Sequence, residues 1–523
     1  MIVNKKARLT KTFFFALLLA AILLSFACEA VRPAEAGRKR LLLNYDYKEI
    51  EKGLSAEEAL ADLEISENGR AISLSEVEIE GAFDPSRRGA YELLLKHGEY
   101  SAKLCLFVDA EGVEEKARFQ TLDELALEEG LSVGIPSEGK IELLVIPIGF
   151  SNKSYDGVEE TLEKAFNGTP EQTGWHSLSS FYAASSFGKL DLHATVLPVY
   201  QTGKRWRRSE TKAIDEDILT KAIAHFDDRV DYSAFDANGD GTIDCVYLIY
   251  LAPYDEDSDL WWAFENEIEP TFWSYDGVRP RTYLWMSIEF FSEPILYSFD
   301  ERDDLGVSIN AETLIHETGH ALGLDDYYDY GDKPVSNGGL GYLNMMDGNQ
   351  GDHDPFSKAI LGWIEPTFVY KTDYAAVLSP FEENGDALII SKTGKNSYFQ
   401  EYFIVCYYTP TGAFELKSQK DVGIFSESGV LIYHINAALK DEEERTSLIE
   451  IYETNNGEWL RLIEICEADG DDSIDGTLYA ENDDLFRAGD AFSPQWSDGT
   501  PAGFTLTVLS LGDEARLSVI YDR

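Results

Sequence analysis

His316-Glu317-Thr318-Gly319-His320-Ala321-Leu322-Gly323-Leu324-Asp325-Asp326 is the stretch on which the reading of this chain turns. The two histidines stand four apart, so on a helix they share one face, one turn from each other. Both imidazoles can then reach a single metal ion, and Glu317 can reach a water on that ion. Asn310 is a fitting N-cap for a helix over 311–322. Gly323 can take the positive φ that ends such a helix and turns the chain back. Asp326, six residues past His320, can then supply an oxygen ligand, with Asp325 as its local rival. Imidazole and carboxylate donors suit Zn2+, which accepts a tetrahedral set and keeps a position open for catalysis. The pattern points to hydrolysis by a zinc-bound water with Glu317 as general base. The bland alternative is an amphipathic helix carrying two ordinary histidines.

Outward from that helix the chain alternates strand and helix patterns. Ile141–Ile148 is a buried-strand run, and Leu178–Ser186 has the helical spacing of Leu178, Phe181 and Tyr182. Leu190–Val196 alternates as a half-buried strand, and Val246–Leu251 is another core strand. Strand, helix, strand, strand, metal helix is the order expected of a zincin-like α+β catalytic domain, placed at 140–372. From 376 to 523 the segments become β-rich, including Tyr402–Tyr408, Gly429–Ile435 and Phe504–Leu511. A separate C-terminal β-sandwich domain is expected there. Residues 38–118 read as a small Ig-like β-sandwich, with Ala90–Leu95 and Ala102–Val108 bracketing a hairpin turn. Residues 119–139 read as a charged linker ending in Pro136-Ser137-Glu138-Gly139.

The chain has 523 residues, 44% of them hydrophobic and 12% aromatic, which fits folded domains with ample core. Its formal net charge of −51 repels phosphate backbones and excludes nucleic acid as a partner. At the N-terminus Lys5, Lys6, Arg8 and Lys11 precede the apolar run Phe13–Ala27, a signal peptide over 1–28. Leu24-Ser25-Phe26-Ala27-Cys28 resembles a loose bacterial lipobox, which would put a lipid anchor on Cys28; Ala34-Glu35-Ala36 offers ordinary signal-peptidase cleavage instead. Either route takes the protein out of the cytoplasm, secreted or anchored to the bacterial surface, with the membrane touched only through that lipid. Cys105, Cys245, Cys406 and Cys466 lie in apolar runs without metal-ligand spacing and read as buried free thiols.

Several blocks together resemble the secreted bacterial immune inhibitor A metallopeptidases. Ser179–Leu190 is similar to that family's "YY-x-x-x-S-y-G-k-l" segment, and the metal motif continues as Leu322-Gly323-Leu324, Asp326 and Tyr328 in the family's manner. Its His-x-x-Gly-x-x-ligand spacing is that of the metzincins, with Asp where those enzymes usually carry His. Asn344-Met345-Met346-Asp347-Gly348 resembles the methionine turn, and Pro355–Trp363 the helix that follows it. Gly429–Asn436, Glu467–Gly470 and Asp483–Phe486 look like family blocks farther on, although Asn436 stands where Asp is expected and much of 255–309 matches nothing. The likeness covers roughly 140–515. It implies an extracellular zinc endopeptidase acting as a monomer on protein or peptide substrates, with His316, His320 and Asp326 as ligands and Glu317 as base. It also implies Met346, or Met345, as the apolar floor under the histidines.

Two further readings accompany these. Asp236-Ala237-Asn238-Gly239-Asp240-Gly241-Thr242-Ile243-Asp244 matches much of a calcium loop, with Asp236, Asn238, Asp240, Thr242 and Asp244 as candidate Ca2+ ligands and Tyr247 where a bidentate Glu is usual. The acidic run Asp469–Asp475 with Asp483 and Asp484 is a weaker candidate. Tyr327, Tyr328, Tyr342 and His353 are candidate oxyanion donors. The rival class is a surface adhesion or scaffold protein built on an inactive peptidase fold.

Overall fold

The computed structural model describes residues 39–522 apart from 46, 51–52, 82, 86–88, 109–115, 117, 130–133, 208–214, 255–260, 269–273, 294–306, 329–339, 416–423, 441–450, 452–460, 471–473 and 475–479. The expected leader, with Cys28 and Ala34–Ala36, lies outside the described residues. No described helix is long and apolar enough to cross a membrane.

The sheet that carries the metal helix has Ile-, Val-, Leu- and aromatic-rich strands at its centre and strands with a polar face toward its edges. They are β1 (Gly139–Gly149), β2 (Leu190–Val196), β3 (Val246–Tyr250), β4 (Phe264–Glu267) and β5 (Thr282–Ser287), in the order β2-β1-β3-β5-β4. The first, second, third and fifth run parallel, whereas β4 lies antiparallel along β5 at the edge, Glu265 opposite Leu284. Every residue of β3 and β5 is buried, because both faces of a parallel sheet are covered. One face sends Leu143, Val145, Tyr247, Ile249, Leu284 and Met286 into a core shared with α2 (Val158–Asn167), α3 (Leu178–Ser185) and α5 (Glu312–Ala321). The other face sends Leu144, Ile146, Leu248 and Trp285 against Ile218, Leu219 and Ile223 of α4 (Asp215–Phe226).

Residues 119–139 differ from the linker expected of them. They contain helix α1 (Leu122–Glu129), and Phe119, Leu122 and Ile135 are buried in the same core as α5. The Ile135 N–H donates to Ala321 O at 2.8 Å, and the Trp363 indole donates to Ser137 O at 2.7 Å. A segment whose apolar side chains are buried and whose backbone is bonded in this way is scaffold, not tether. The chain divides instead between Ala110 and Glu111, earlier than the expected limit at 118.

The unit before that boundary has two small sheets around one core of Leu41, Ile50, Leu60, Leu93, Leu95, Leu104 and Leu106. Its centre is a hairpin, Gly89–His97 with Tyr100–Val108, whose register closes at His97 opposite Tyr100 around Gly98 at φ +61°. That turn is tighter than the one expected at 96–101.

In the C-terminal region two sheets pack on one another over a core of their own, and one of them also backs the core that holds α5. One sheet contains β6 (Thr367–Val369), β8 (Ala387–Ser391), β9 (Glu401–Tyr408), β10 (Gly429–Asn436) and β11 (Ile463–Ile465). The other contains β7 (Tyr374–Leu378), β12 (Ala491–Phe492), β13 (Phe504–Leu511) and β14 (Ala515–Tyr521). Leu388, Phe403, Val405, Ile432, Leu506 and Leu517 fill the space between them. The opposite face of the first sheet, with Ile389, Ile404, Leu431 and Tyr433, belongs to the core that holds α5. Residues 111–523 thus form one unit of mixed α and β structure, with many sheets and few helices.

Candidate metal centre

Helix α5 carries His316, Glu317 and His320 on a frame tied at several points. The N-cap position is Ala311 and not the expected Asn310, but Asn310 Oδ1, one residue earlier, still accepts from Glu312 N–H at 2.9 Å. Tyr182 donates to Ile315 O at 2.8 Å, and Tyr247 meets Thr318 Oγ1 at 3.0 Å, which pins the helix to α3 and β3. Past Ala321 the chain reverses through Gly323 at φ +90°, and Leu324 N–H returns to Gly319 O at 3.0 Å. That reversal brings Asp326 back to the histidines, while Asp325, its sequence rival, is exposed.

Both Nδ1 atoms donate outward, His316 to Met345 O and His320 to Leu324 O, each at 2.8 Å. A carbonyl is acceptor-only, so these bonds place a proton on Nδ1 and leave each Nε2 as the inward atom. The Nε2 atoms of His316 and His320 lie 3.0 and 3.3 Å from one oxygen, Asp326 Oδ1. That oxygen is buried and has no hydrogen-bond donor of its own. Three lone-pair atoms converging this closely require either a proton or a cation between them, and the donor set fits a divalent ion. Without a cation, burial would push the His320 imidazole down, yet the carboxylate of Asp326 against it and the charge of Glu317 lift it to about 10. Burial would likewise raise Asp326, but the two imidazoles hold it well below the usual carboxylate range.

The Met345–Met346 turn braces this cluster from below. Met345 supplies the carbonyl for His316, and Met346 O accepts from Tyr327 N–H at 2.8 Å, which ties the Asp326 arm to the same turn. A side chain on Gly319 would collide with the Met346 sulfur, so the glycine lets that thioether sit against the helix between the histidines. Asn344 caps Met346 N–H at 2.7 Å and donates to Asp354 at 2.9 Å. Asp354 in turn caps α7 (Pro355–Ile360), the helix after the short α6 (Met345–Gly348), and Ser357 of α7 meets the Tyr327 hydroxyl at 2.7 Å. Beneath lies a fully buried ion pair that nothing in the sequence singles out, Lys358 Nζ to Asp352 at 2.6 Å, with Ser185 also bonded to Asp352.

The candidate oxyanion donors are spread unequally. Tyr328 lies over His316 at 6.3 Å between ring centroids, and its hydroxyl bonds to Asp326. Tyr327 is buried with its hydroxyl on Ser357, and Tyr342 is held through its N–H by Asp347 at 2.6 Å. His353 is buried among Phe181, Tyr182 and Trp363, where burial pushes its imidazole down to about 3.

Glu317 is buried beside the histidines, and that burial raises its carboxyl despite their opposing effect. It accepts a hydrogen bond from the backbone of Glu265 on edge strand β4. Glu265 is the residue that sequence reading misses, since it falls in the stretch that matches nothing. Burial, partly offset by His320 and reinforced by Glu267 and Glu317, lifts its carboxyl to about 7.

The calcium-loop residues are arranged as a tight polar turn. Asp236 accepts from the N–H groups of Asp240 and Gly241 at 3.0 Å, and Asp240 accepts from Thr242 N–H at 2.8 Å. Asp244 takes Ala237 N–H at 3.0 Å on one oxygen and leaves the other buried without a partner; burial and the charges of Asp236 and Asp240 lift it to about 7. Among the described residues, two groups of three bring ligand atoms within 4.8 Å of one another: His316, His320 and Asp326, and separately Glu467, Asp469 and Asp484. Asp236, Asp240 and Asp244 do not form a third. Cys105, Cys245 and Cys406 are buried and Cys466 is only partly so, and no disulfide joins them.

No protein-family model matches the chain, and no curated protein matches it.

Proposed function

We propose that this chain is an extracellular zinc endopeptidase with a zincin-like catalytic region, of the kind that its resemblance to the immune inhibitor A metallopeptidases implies. The observation that carries the reading is the approach of both Nε2 atoms to a single donor-less carboxylate oxygen, with both Nδ1 atoms committed elsewhere. Zn2+ held by His316, His320 and Asp326 would supply Lewis acidity that lowers the pKa of water toward neutrality.

The chain's own groups do the rest. Glu317, raised by burial, takes a proton from the attacking water and passes it to the leaving amine. The Glu265 N–H holds that carboxylate in position. Tyr328, its ring stacked by His316, is the hydroxyl assigned here to the negative charge that develops on the substrate carbonyl. Ca2+ on the loop Asp236–Asp244 is a structural companion to this reading, supported by the unpartnered buried oxygen of Asp244.

The test is metal content with activity. The reading expects about one zinc per chain, caseinolysis that a chelator removes, and a Glu317→Ala variant that keeps zinc but does not cut. A zinc-loaded protein that hydrolyses no peptide in a diverse library would leave the scaffold reading in its place.

A further inference from the structure

Lys204-Arg205-Trp206-Arg207-Arg208 sets four cations in five residues, in a chain whose acids outnumber its bases by 95 to 44. Arg208 lies outside the described residues, and the rest of the stretch is held by the loop that follows β1. The short strand Tyr200–Gln201 runs parallel to the end of β1. Beyond it, Ser151 N–H donates to Lys204 O at 2.9 Å, and Asn152 Oδ1 accepts from Trp206 N–H at 2.7 Å. Trp206 packs on the core beneath α4, on the face of the sheet away from α5. The patch thus lies outside the metal centre.

Exposure alternates from Gly203 to Arg207 as in an extended chain, so Arg205 and Arg207 face solvent while Lys204 and Trp206 are half-buried. Lys204 is paired with Asp217 at 3.4 Å. Lys153 stands over the Trp206 ring at 4.2 Å, which positions its ammonium without neutralising it. Lys153, Arg205, Trp206 and Arg207 have donor-only side chains. Among the described residues none of these side chains meets a carboxylate, and the Trp206 indole N–H has no acceptor. With more than twice as many acids as bases in the chain, cations left together without one point to an anion from outside.

Two guanidiniums two residues apart on extended backbone stand about 7 Å from each other. Glutamates two apart on an extended peptide have the same repeat, so each guanidinium can take one carboxylate in a bidentate pair. Asp156 beyond Lys153, and Glu216 and Asp217 at the start of α4, flank the patch with negative charge. A short acidic stretch fits between them, whereas a long polyanion is repelled. A second copy of the chain, with the same net charge of −51, is repelled as well.

We propose that Lys153, Arg205 and Arg207, set around Trp206, form a docking site for an acidic peptide segment with carboxylates at alternate positions. The site does not depend on the peptidase reading. Fluorescent peptides alternating glutamate with serine are titrated into the full-length protein at low salt and read by anisotropy. Two controls accompany them: the same peptide with glutamine for glutamate, and one of equal charge with its glutamates in a single block.

The alternating peptide binds at least about tenfold tighter than its glutamine counterpart, and tighter than the block. Arg205→Gln with Arg207→Gln removes that preference at an unchanged melting temperature. Arg205→Lys with Arg207→Lys, which keeps the charge without the fork, recovers only part of it. Equal binding of glutamate and glutamine peptides, or a preference that survives the glutamine pair, overturns the proposal. So does dextran sulfate binding tighter through the same arginines, which would make the patch a site for sulfated polysaccharide. Sedimentation showing self-association that the glutamine pair abolishes would overturn it in favour of a second copy.

Discussion

Replacing Gly319 by alanine tests the seat of the methionine turn. In an ordinary helix that change stabilises by about 1 kcal/mol, because glycine loses more backbone freedom. Here the new methyl would enter the space of the Met346 sulfur, with the methionine methyl at 3.0 Å and His353 Cε1 at 3.7 Å behind it. Overpacking of a filled core costs about 1–3 kcal/mol, so the net effect is a loss of roughly 0–2 kcal/mol instead of a gain. Met346→Ala alone opens a cavity and should cost about 2–5 kcal/mol. In the double variant the methyl added at position 319 refills part of that cavity, so the pair should be more stable than the sum of its parts by about 1–3 kcal/mol. Urea unfolding of the four proteins, followed by tryptophan fluorescence, gives the coupling directly. A single variant that gains the full helix benefit, with strict additivity in the double, would show that no sulfur sits under Gly319.

Other expectations follow from the buried charges. His434 lies between Glu401 and Glu464, at 3.1 and 2.9 Å, and although burial would lower it, the two acids raise it above its ordinary value. Its contribution to stability is therefore complete below about pH 6.5 and fades as pH rises through the raised value; the gap between wild type and His434→Gln in melting experiments should shrink along that direction. Lys358→Met should cost about 3–5 kcal/mol by leaving Asp352 buried and unpaired, and adding Asp352→Asn should recover much of it in the same urea assay. Calcium added to metal-stripped protein should raise its melting temperature, and Asp244→Ala should remove the rise; calorimetry showing no rise in wild type would dismiss the loop as a cation site.

What the sequence discloses is local, and what it hides is long-range. The helix expected at 311–322 is found at Glu312–Ala321 because its start, its periodicity and its glycine stop are all short-range signals. The same holds for the return of Asp326, which needs only Gly323 at positive φ. The supposed linker misleads because Asp123, Glu124, Glu128 and Glu129 dominate its composition, while the buried Phe119, Leu122, Leu125, Ala126 and Ile135 are scattered between them. Strand β4 carries no strand pattern, since an edge strand with one acid-bearing face needs no alternation of apolar residues. Glu265 is lost among 95 acidic residues; only its address beside Glu317 sets it apart.

The separate C-terminal domain is the expectation with the largest consequence, and the packing opposes it. A sandwich that folded alone would turn a polar face toward α7, yet β9 and β10 present Ile404, Cys406, Leu431 and Tyr433, all buried. Asp354, which caps α7 and holds Asn344 under the metal helix, lies in a small cavity lined also by Glu382, Cys406, Leu431 and Tyr433. The histidines are therefore fixed through the methionine turn to α7, and α7 rests on the sandwich. Burying each large apolar side chain is worth about 1.5–3 kcal/mol, so baring half a dozen of them removes roughly 9–18 kcal/mol, as much as a whole domain's stability. A chain that stops just before β6 is thus expected to fail as a folded body rather than to survive as a trimmed enzyme. Soluble, cooperatively unfolding protein from residues 111–366 would refute that dependence and restore the two-domain view.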